Sequence, residues 1–188
     1  MTKPTFADYI RRVQEVATKS GDALDATAGS AGRAIIESLV RGGKVISFGN
    51  GGSATQASHL AGELVGRFRA SRQSLPAISL VSDAATITCI GNDFGYSTVF
   101  ARQMEAFAQP GDIAIGLTTS GKSENVVKAF AVAKKRGAVT IALTGAAGLV
   151  GVEADHLLAV PSTDTAHIQE VHLMLLHAWC IAIDEAFA

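Results

Sequence analysis

Several features are scarce or missing in this 188-residue sequence, and each absence excludes a class of protein. No uninterrupted apolar run approaches the ~18 residues of a membrane-spanning helix, so no membrane partner is expected. Residues 1–14 carry Lys3, Asp8, Arg11 and Arg12 and lack the apolar core of a signal peptide, which predicts a protein without a secretory leader. The net charge of −1 provides neither a basic field for nucleic acid nor an acidic tail.

Cysteine is also scarce. The two cysteines, Cys89 and Cys180, both lie in apolar stretches, which predicts buried free thiols. A cytoplasmic location in a reducing environment is therefore expected.

Hydrophobic residues (48%) and 19 glycines are abundant, as in a compact α/β protein. We predict a single domain over residues 1–188, with N-terminal helices at 1–41 and an α/β core with a closing helix at 42–188. Helices alternate with apolar strands, which favours a parallel sheet covered on both faces. The predicted strands are 44–48, 77–81, 112–117, 139–143 and 156–160. The predicted helices of the core are 53–69, 84–92, 96–108, 122–136 and about 165–186.

Residues 4–41 show helical periodicity in two runs, which predicts a pair of helices before the first strand. This pair has no strand of its own to cover, so we expect it to pack against another subunit.

Two segments have the composition of a phosphate-binding loop. Residues 49–53 (GNGGS) follow the first strand, and residues 118–123 (TTSGKS) follow the third. In each, glycines and small hydroxyl residues stand between a strand and a helix, where backbone N–H groups and the helix N-terminus favour an anion. We call these segments the first and second cradle. They predict a phosphorylated small-molecule ligand.

Both cradles also match nucleotide-binding patterns. Residues 116–123 satisfy the P-loop expression, but no later strand ends in the aspartate that such proteins use for magnesium. Residues 49–54 satisfy the relaxed dinucleotide pattern, but no acidic residue ends the next strand at ~20 positions, since Asp83 lies beyond it. Nucleotide hydrolysis stays the minor alternative.

Groups with proton-transfer chemistry follow the first cradle and recur near the end of the chain. His59 and Glu63 are four residues apart and share a helix face. Gln169 and His177 lie on the predicted closing helix. A structural role for each alone is plausible, but together they favour a site.

At these residues the sequence resembles the sugar isomerase (SIS) domain family and, within it, the phosphoheptose isomerases. The resemblance rests on the two cradles, residues 59–63 (HLAGE), residues 90–96 (IGNDFGY) and the stretch from Ile168 to His177. It implies a flavodoxin-like five-stranded parallel sheet and a homotetramer with active sites at subunit interfaces.

The resemblance also implies residue roles. Glu63 and His177 are the expected catalytic acid–base pair. A zinc ion is expected on His59, Glu63, Gln169 and His177. The expected substrate contacts are Asn50, Gly51, Gly52, Ser53, Glu63, Asn92, Asp93, Thr118, Thr119, Ser120, Ser123 and Gln169.

The implied reaction converts D-sedoheptulose 7-phosphate to D-glycero-D-manno-heptose 7-phosphate through an enediol, the first step of nucleotide-activated heptose biosynthesis. Such chemistry needs a base, a second acid–base group and stabilisation of the enediolate, which zinc can supply as a Lewis acid. Gln56 stands where many relatives have aspartate. The alternative is a non-catalytic sugar-phosphate sensor or a regulator that binds the replication initiator DnaA, although retention of Glu63 and His177 favours the enzyme.

The spacing of Gln169 and His177 on the closing helix predicts how the site is assembled. Gln169 and His177 are eight residues apart, or about 12 Å along one helix and about 80° around it. A zinc–ligand bond is only ~2 Å, so one straight helix cannot bring both side chains to one ion. We therefore predict that each site is shared between two chains.

Overall fold

The computed structural model of the protein describes residues 5–188. Residues 1–4 belong to the N-terminal stretch for which no secretory leader is predicted, and they lie outside the described residues. Within residues 5–188 the chain forms five strands and six α-helices, with one short 3-10 turn at Tyr96–Thr98. The strands are β1 Val45–Gly49, β2 Ala77–Ser79, β3 Ile113–Thr118, β4 Val139–Thr144 and β5 His156–Ala159. The helices are α1 Phe6–Val40, α2 Gly52–Val65, α3 Ala84–Phe94, α4 Val99–Phe107, α5 Glu124–Lys135 and α6 Thr165–Phe187.

All strand pairings are parallel, in the order β2-β1-β3-β4-β5. One apolar cluster packs α1, α2 and α6 on one face of the sheet, and a second packs α4 and α5 on the other. The chain moves outward from β1 to β2 and then returns to the other side of β1 with β3. The order therefore reverses between β1 and β3, and such a reversal opens a crevice at the carboxyl ends of the strands.

The prediction of an N-terminal helical pair is wrong, because α1 is one continuous helix of 35 residues. It begins at a capping box in which the Thr5 hydroxyl accepts the Asp8 N–H and the Asp8 carboxylate accepts the Thr5 N–H. Gly29 lies inside the helix, where glycine costs about 1 kcal/mol relative to alanine. Packing offsets this cost, since the buried residues Leu24, Ala31 and Ile35 flank it.

The N-terminal segment also packs within its own chain, and its packing against another subunit stays a prediction. α1 contacts α6 and the edge strand β5 of its own chain. The indole of Trp179 donates to the carbonyl of Ala28 at 2.9 Å, and a Cβ on Gly32 would lie 3.1 Å from the same ring. α1 and α6 thus close one face of the sheet together.

The prediction of two buried thiols holds for Cys180 only, since Cys89 is exposed. Cys89 lies on α3, whose single buried residue is Ile90, so its apolar sequence surroundings face outward. Burial raises the pKa of the Cys180 thiol to about 12, with a smaller contribution from the carboxylates of Glu63 and Asp184. None of the helices within residues 5–188 has the length and apolar character needed to cross a membrane.

Candidate active site

The first cradle leads from β1 directly into α2. Gly51 is the N-cap of α2 with φ 56°, a left-handed conformation that glycine adopts without strain. Within the described residues no side chain caps this helix. The N–H groups of Ala54 and Thr55 donate to the carbonyl of Gly51, so this end attracts an anion chiefly through the positive end of the helix dipole. Ser53 is buried in the first turn, where its N–H donates to the carbonyl of Asn50 at 3.0 Å.

The second cradle follows β3, the strand beside β1. The Thr118 hydroxyl lies 3.1 Å from the hydroxyl of Ser123 and 3.5 Å from that of Ser120. Ser123 is the N-cap of α5, and its side chain makes no capping bond. Gly121 has φ 67°, and a Cβ there would lie 1.7 Å from the carbonyl oxygen of Gly148. Only glycine fits this position.

The two cradles therefore meet at the crevice where the strand order reverses. Gly49 pairs with Leu117 at the ends of β1 and β3, so the loops that follow lie side by side. The sequence placed both loops after strands, and the sheet order puts them at one site. This is the place where open α/β sheets bind their ligands.

Three of the predicted acid–base residues come together on α2 and α6. The Nε2 atoms of His59 and His177 are 3.0 Å apart, and the same nitrogen of His59 is 3.4 Å from the Glu63 carboxylate. The ring of Phe68 stacks on His177 with centroids 5.4 Å apart. Only one hydrogen can occupy the His59–His177 contact, so one imidazole donates and the other accepts.

Gln169 lies elsewhere on the same two helices. A Cβ on Gly52 would lie 2.6 Å from Gln169 Nε2, so this amide faces the start of α2. His177 faces His59, seven residues further along α2. α2 and α6 thus run side by side in the same direction and keep Gln169 and His177 about 12 Å apart along α6.

The four predicted zinc ligands do not form one centre within this chain. In residues 5–188, no group of three or more His, Cys, Asp or Glu side chains is arranged to hold a metal ion. The donor types of His59, Glu63 and His177 suit zinc, but the described side chains of a single chain are not arranged to bind the ion.

Gln56 connects the same helices near Gln169. Its Nε2 donates to the main-chain carbonyl of Gln169 at 2.6 Å, and its Oε1 is buried with no hydrogen-bond partner among residues 5–188. A carboxylate at this position could not donate this bond. Gln56 therefore ties α2 to α6 through its side-chain amide.

Asn92 and Asp93, predicted as substrate contacts, are exposed on the last turn of α3 and hydrogen-bond to each other at 2.8 Å. Nearby, the Tyr96 hydroxyl donates to Asn50 Oδ1 at 2.9 Å and ties this segment to the first cradle. Asn50 also pairs with Asn125 on α5. Sequence reasoning missed Tyr96 and Asn125 as parts of the site, since nothing local marks an asparagine that pairs 75 residues away.

A buried ion pair holds the segment that carries Phe68. Arg72 Nε lies 2.9 Å from the Asp184 carboxylate, and its Nη atoms donate to the carbonyls of Glu63 and Leu64 at the end of α2. Burial raises the pKa of Asp184. Hydrogen bonds from the N–H groups of Ala70 and Arg69 and the contact with Arg72 more than offset this, so that the pKa is lowered overall.

Asp83 caps a helix, which gives no support to the P-loop interpretation. Its carboxylate accepts the N–H of Ala85 at 3.0 Å and the hydroxyl of Thr86, as the N-cap of α3. Lys122, the lysine of the matching pattern, is exposed, and its N–H donates to the Ser120 hydroxyl at 3.2 Å.

The fold and the paired cradles define a sugar-phosphate-binding type of α/β domain, and comparison with known proteins agrees. The SIS domain model matches residues 8–145. A phosphoheptose isomerase from Nitratiruptor is 52% identical over 153 residues, which cover 81% of this chain and 82% of that protein. One from Campylobacter jejuni is 43% identical over 175 residues, or 93% of this chain and 94% of that protein.

Solved structures show the same likeness. A phosphoheptose isomerase from Francisella tularensis has a TM-score of 0.91 and 37% identity, covering 95% of this chain and 96% of that one. One from Neisseria gonorrhoeae has a TM-score of 0.87 at the same identity and coverage. The chain therefore belongs to the SIS domain family and, within it, to the phosphoheptose isomerases.

Proposed function

We propose that this chain interconverts D-sedoheptulose 7-phosphate and D-glycero-D-manno-heptose 7-phosphate. The observation that carries the proposal is the pairing of two phosphate cradles at the β1–β3 crevice with an acid–base cluster between α2 and α6. The second cradle offers hydroxyls and helix N–H groups to the phosphate. α2 begins in the first cradle and carries His59 and Glu63 about two to three turns further on.

Glu63 is the proposed base. Its carboxylate takes the proton from C1 of the open-chain ketose, which leaves an enediolate that becomes the enediol when the C2 oxygen is protonated, and it then returns a proton to C2. His177 moves the second proton, from the C1 hydroxyl to the C2 oxygen, so that the aldehyde forms at C1. The contact between His59 and His177 orients this imidazole and offers it a proton partner.

Glu63→Gln tests this assignment, because the amide keeps the size of the side chain but removes the base. Turnover of sedoheptulose 7-phosphate, followed by NMR of the aldose product, should fall by ~10²-fold or more. His177→Asn should show a similar loss. Glu15→Gln, at an exposed position on α1, is the matched control and should keep wild-type turnover.

The circular dichroism spectra of all three variants should match that of the wild type. If Glu63→Gln and His177→Asn both retain near-wild-type turnover, the mechanism is wrong. If the wild-type protein does not form the aldose at all, the proposed reaction is wrong.

The homotetramer belongs to the proposal, with each site at a subunit interface. His59, Glu63 and His177 of one chain would meet Gln169 of the partner subunit, which supplies the fourth zinc ligand that one chain cannot place. Elemental analysis of the purified oligomer should find one zinc per site, lost in His59→Ala. No step of the reaction above depends on that ion.

A further inference from the structure

The carboxamides of Asn50 and Asn125 form a reciprocal pair. Asn50 Nδ2 donates to Asn125 Oδ1, and Asn125 Nδ2 donates to Asn50 Oδ1, both at 2.9 Å. Asn50 belongs to the first cradle, whereas Asn125 lies in the first turn of α5, directly after the second. Asn125 is only 4% exposed. The pair therefore bridges the crevice beneath the two cradles.

A fixed donor determines which way both amides point. The Val126 main-chain N–H donates to Asn125 Oδ1 at 3.0 Å, so the Asn125 nitrogen must face Asn50. Asn50 Oδ1 therefore faces that nitrogen, and it also accepts the Tyr96 hydroxyl at 2.9 Å. Each amide oxygen then accepts two hydrogen bonds, which saturates its lone pairs.

Asn50 has only one side-chain group left for a ligand, the second hydrogen on Nδ2. An amide held in this way can donate to a hydroxyl, carbonyl or phosphate oxygen, but it cannot accept from a sugar hydroxyl. Because the pair joins loops from adjacent strands, the same bonds also fix the spacing of the cradles.

We propose that Asn125 is a positioning residue that locks Asn50 as a hydrogen-bond donor to the substrate and couples the two cradles. This inference rests on the proposed function only for the identity of the substrate. Because Asn125 is buried, its bonds to Asn50 are expensive to lose, since a buried amide left unpaired is strongly disfavoured.

Asn125→Asp is the sharpest test, because it keeps the shape but places a carboxylate oxygen against Asn50 Oδ1. At pH 8, kcat/KM for sedoheptulose 7-phosphate should fall roughly ten- to a hundredfold. Burial raises the pKa of the introduced carboxyl, and its protonated form can donate again. The ratio of variant to wild-type kcat/KM should therefore rise as the pH falls toward 5.5.

Asn125→Ala should also lower kcat/KM, but its ratio to the wild-type value should not rise at acid pH. Gln103→Glu is the matched control, because Gln103 is a buried amide on α4 that donates to the carbonyls of Leu80 and Val99, outside the site. Its kcat/KM ratio should not rise toward acid pH. Other titratable groups on these segments, the Tyr96 phenol and the Lys122, Glu124 and Lys128 side chains, are common to all variants and cancel in the ratio.

An Asn125→Asp variant with wild-type kcat/KM, or with a ratio that does not change with pH, would overturn the inference.

Unfolding gives a readout that does not depend on catalysis. In the cycle of Asn50→Ala, Asn125→Ala and the double variant, the double variant should lose little more stability than the worse single variant. Strictly additive losses would overturn the coupling even if the wild type had no turnover.

Discussion

His172 shows how one residue type serves two purposes in α6. It is fully buried, with its Nε2 3.1 Å from the carbonyl oxygen of Thr144, and its Nδ1 has no hydrogen-bond partner in the described part of the chain. Since Nε2 faces a carbonyl, it carries the proton, and the ring is neutral. Burial lowers the pKa of His172 to about 4, although the bond to Thr144 raises it in part. His177, five residues on, lies in the acid–base cluster.

The buried His172 predicts a loss of stability in acid. The pKa falls from 6.5 in the unfolded chain to about 4 in the folded one, so between these values the unfolded state binds more protons. The stabilisation that neutral His172 contributes is fully present above pH 6.5 and is lost as the pH falls toward 4. At 1.36 kcal/mol per pKa unit, the free energy of unfolding should drop by about 3 kcal/mol from this residue.

Urea unfolding of the wild type and of His172→Gln between pH 7 and pH 4.5 measures this effect. Glutamine can still donate to Thr144 but does not titrate, so the variant should have a flatter dependence on pH. Parallel curves for the two proteins would contradict the prediction.

Single residues were predictable from the sequence where their chemistry is local. His59 and Glu63 share a helix face because of their spacing, and the structure places them 3.4 Å apart. Asn125 gave no such signal, because its partner Asn50 is brought near only by the β1–β3 pairing. Residues of this kind are found from the fold, not from a pattern.

At the scale of elements, a buried ion pair contributes to holding the segment between α2 and β2. Arg72 and Asp184 are almost completely buried, and the arginine also satisfies two carbonyls at the end of α2. Asp184→Ala leaves that guanidinium buried and unpaired, so it should destabilise the protein by about 3–5 kcal/mol. Chemical denaturation measures this loss.

The exposed pair of Arg41 and Glu37 on α1 provides the control. Its side chains are 3.6 Å apart and mostly solvent-exposed, so Glu37→Ala should change stability by less than about 1 kcal/mol. Equal losses in the two variants would mean that the buried pair has no special role in holding the segment beside His177.

The strands were predictable as elements because each apolar run ends in a cradle or a turn. α1 was not, because the sequence shows two helical runs separated by small residues and glycine. Its continuity depends on contacts with α6, where Gly32 packs against Trp179. Tertiary packing thus overrode local helix propensity.

For the whole molecule, the proposed shared site predicts complementation between inactive variants. Glu63→Gln and Gln169→Ala oligomers should each be impaired. If Glu63 and Gln169 of different chains form one site, mixing with subunit exchange restores intact sites at about a quarter of the total. Activity of the mixture, against that of each parent, is the measurement.

The control mixture combines Glu63→Gln with His177→Asn. Both residues contact His59 of the same chain, so mixing should restore no activity. Recovery in the control, or none in the test mixture, would contradict the shared site.

The packing of α1 on α6 has a consequence for biosynthesis. The two helices that close one face of the sheet are separated by roughly 125 residues of chain. A ribosome adds about 5–20 residues per second, so α1 waits roughly ten seconds before its partner emerges. During that interval its apolar side, with Leu24 and Ile35, has no α6 to cover it. Nascent chains should therefore be a substrate for chaperones until α6 has been synthesised.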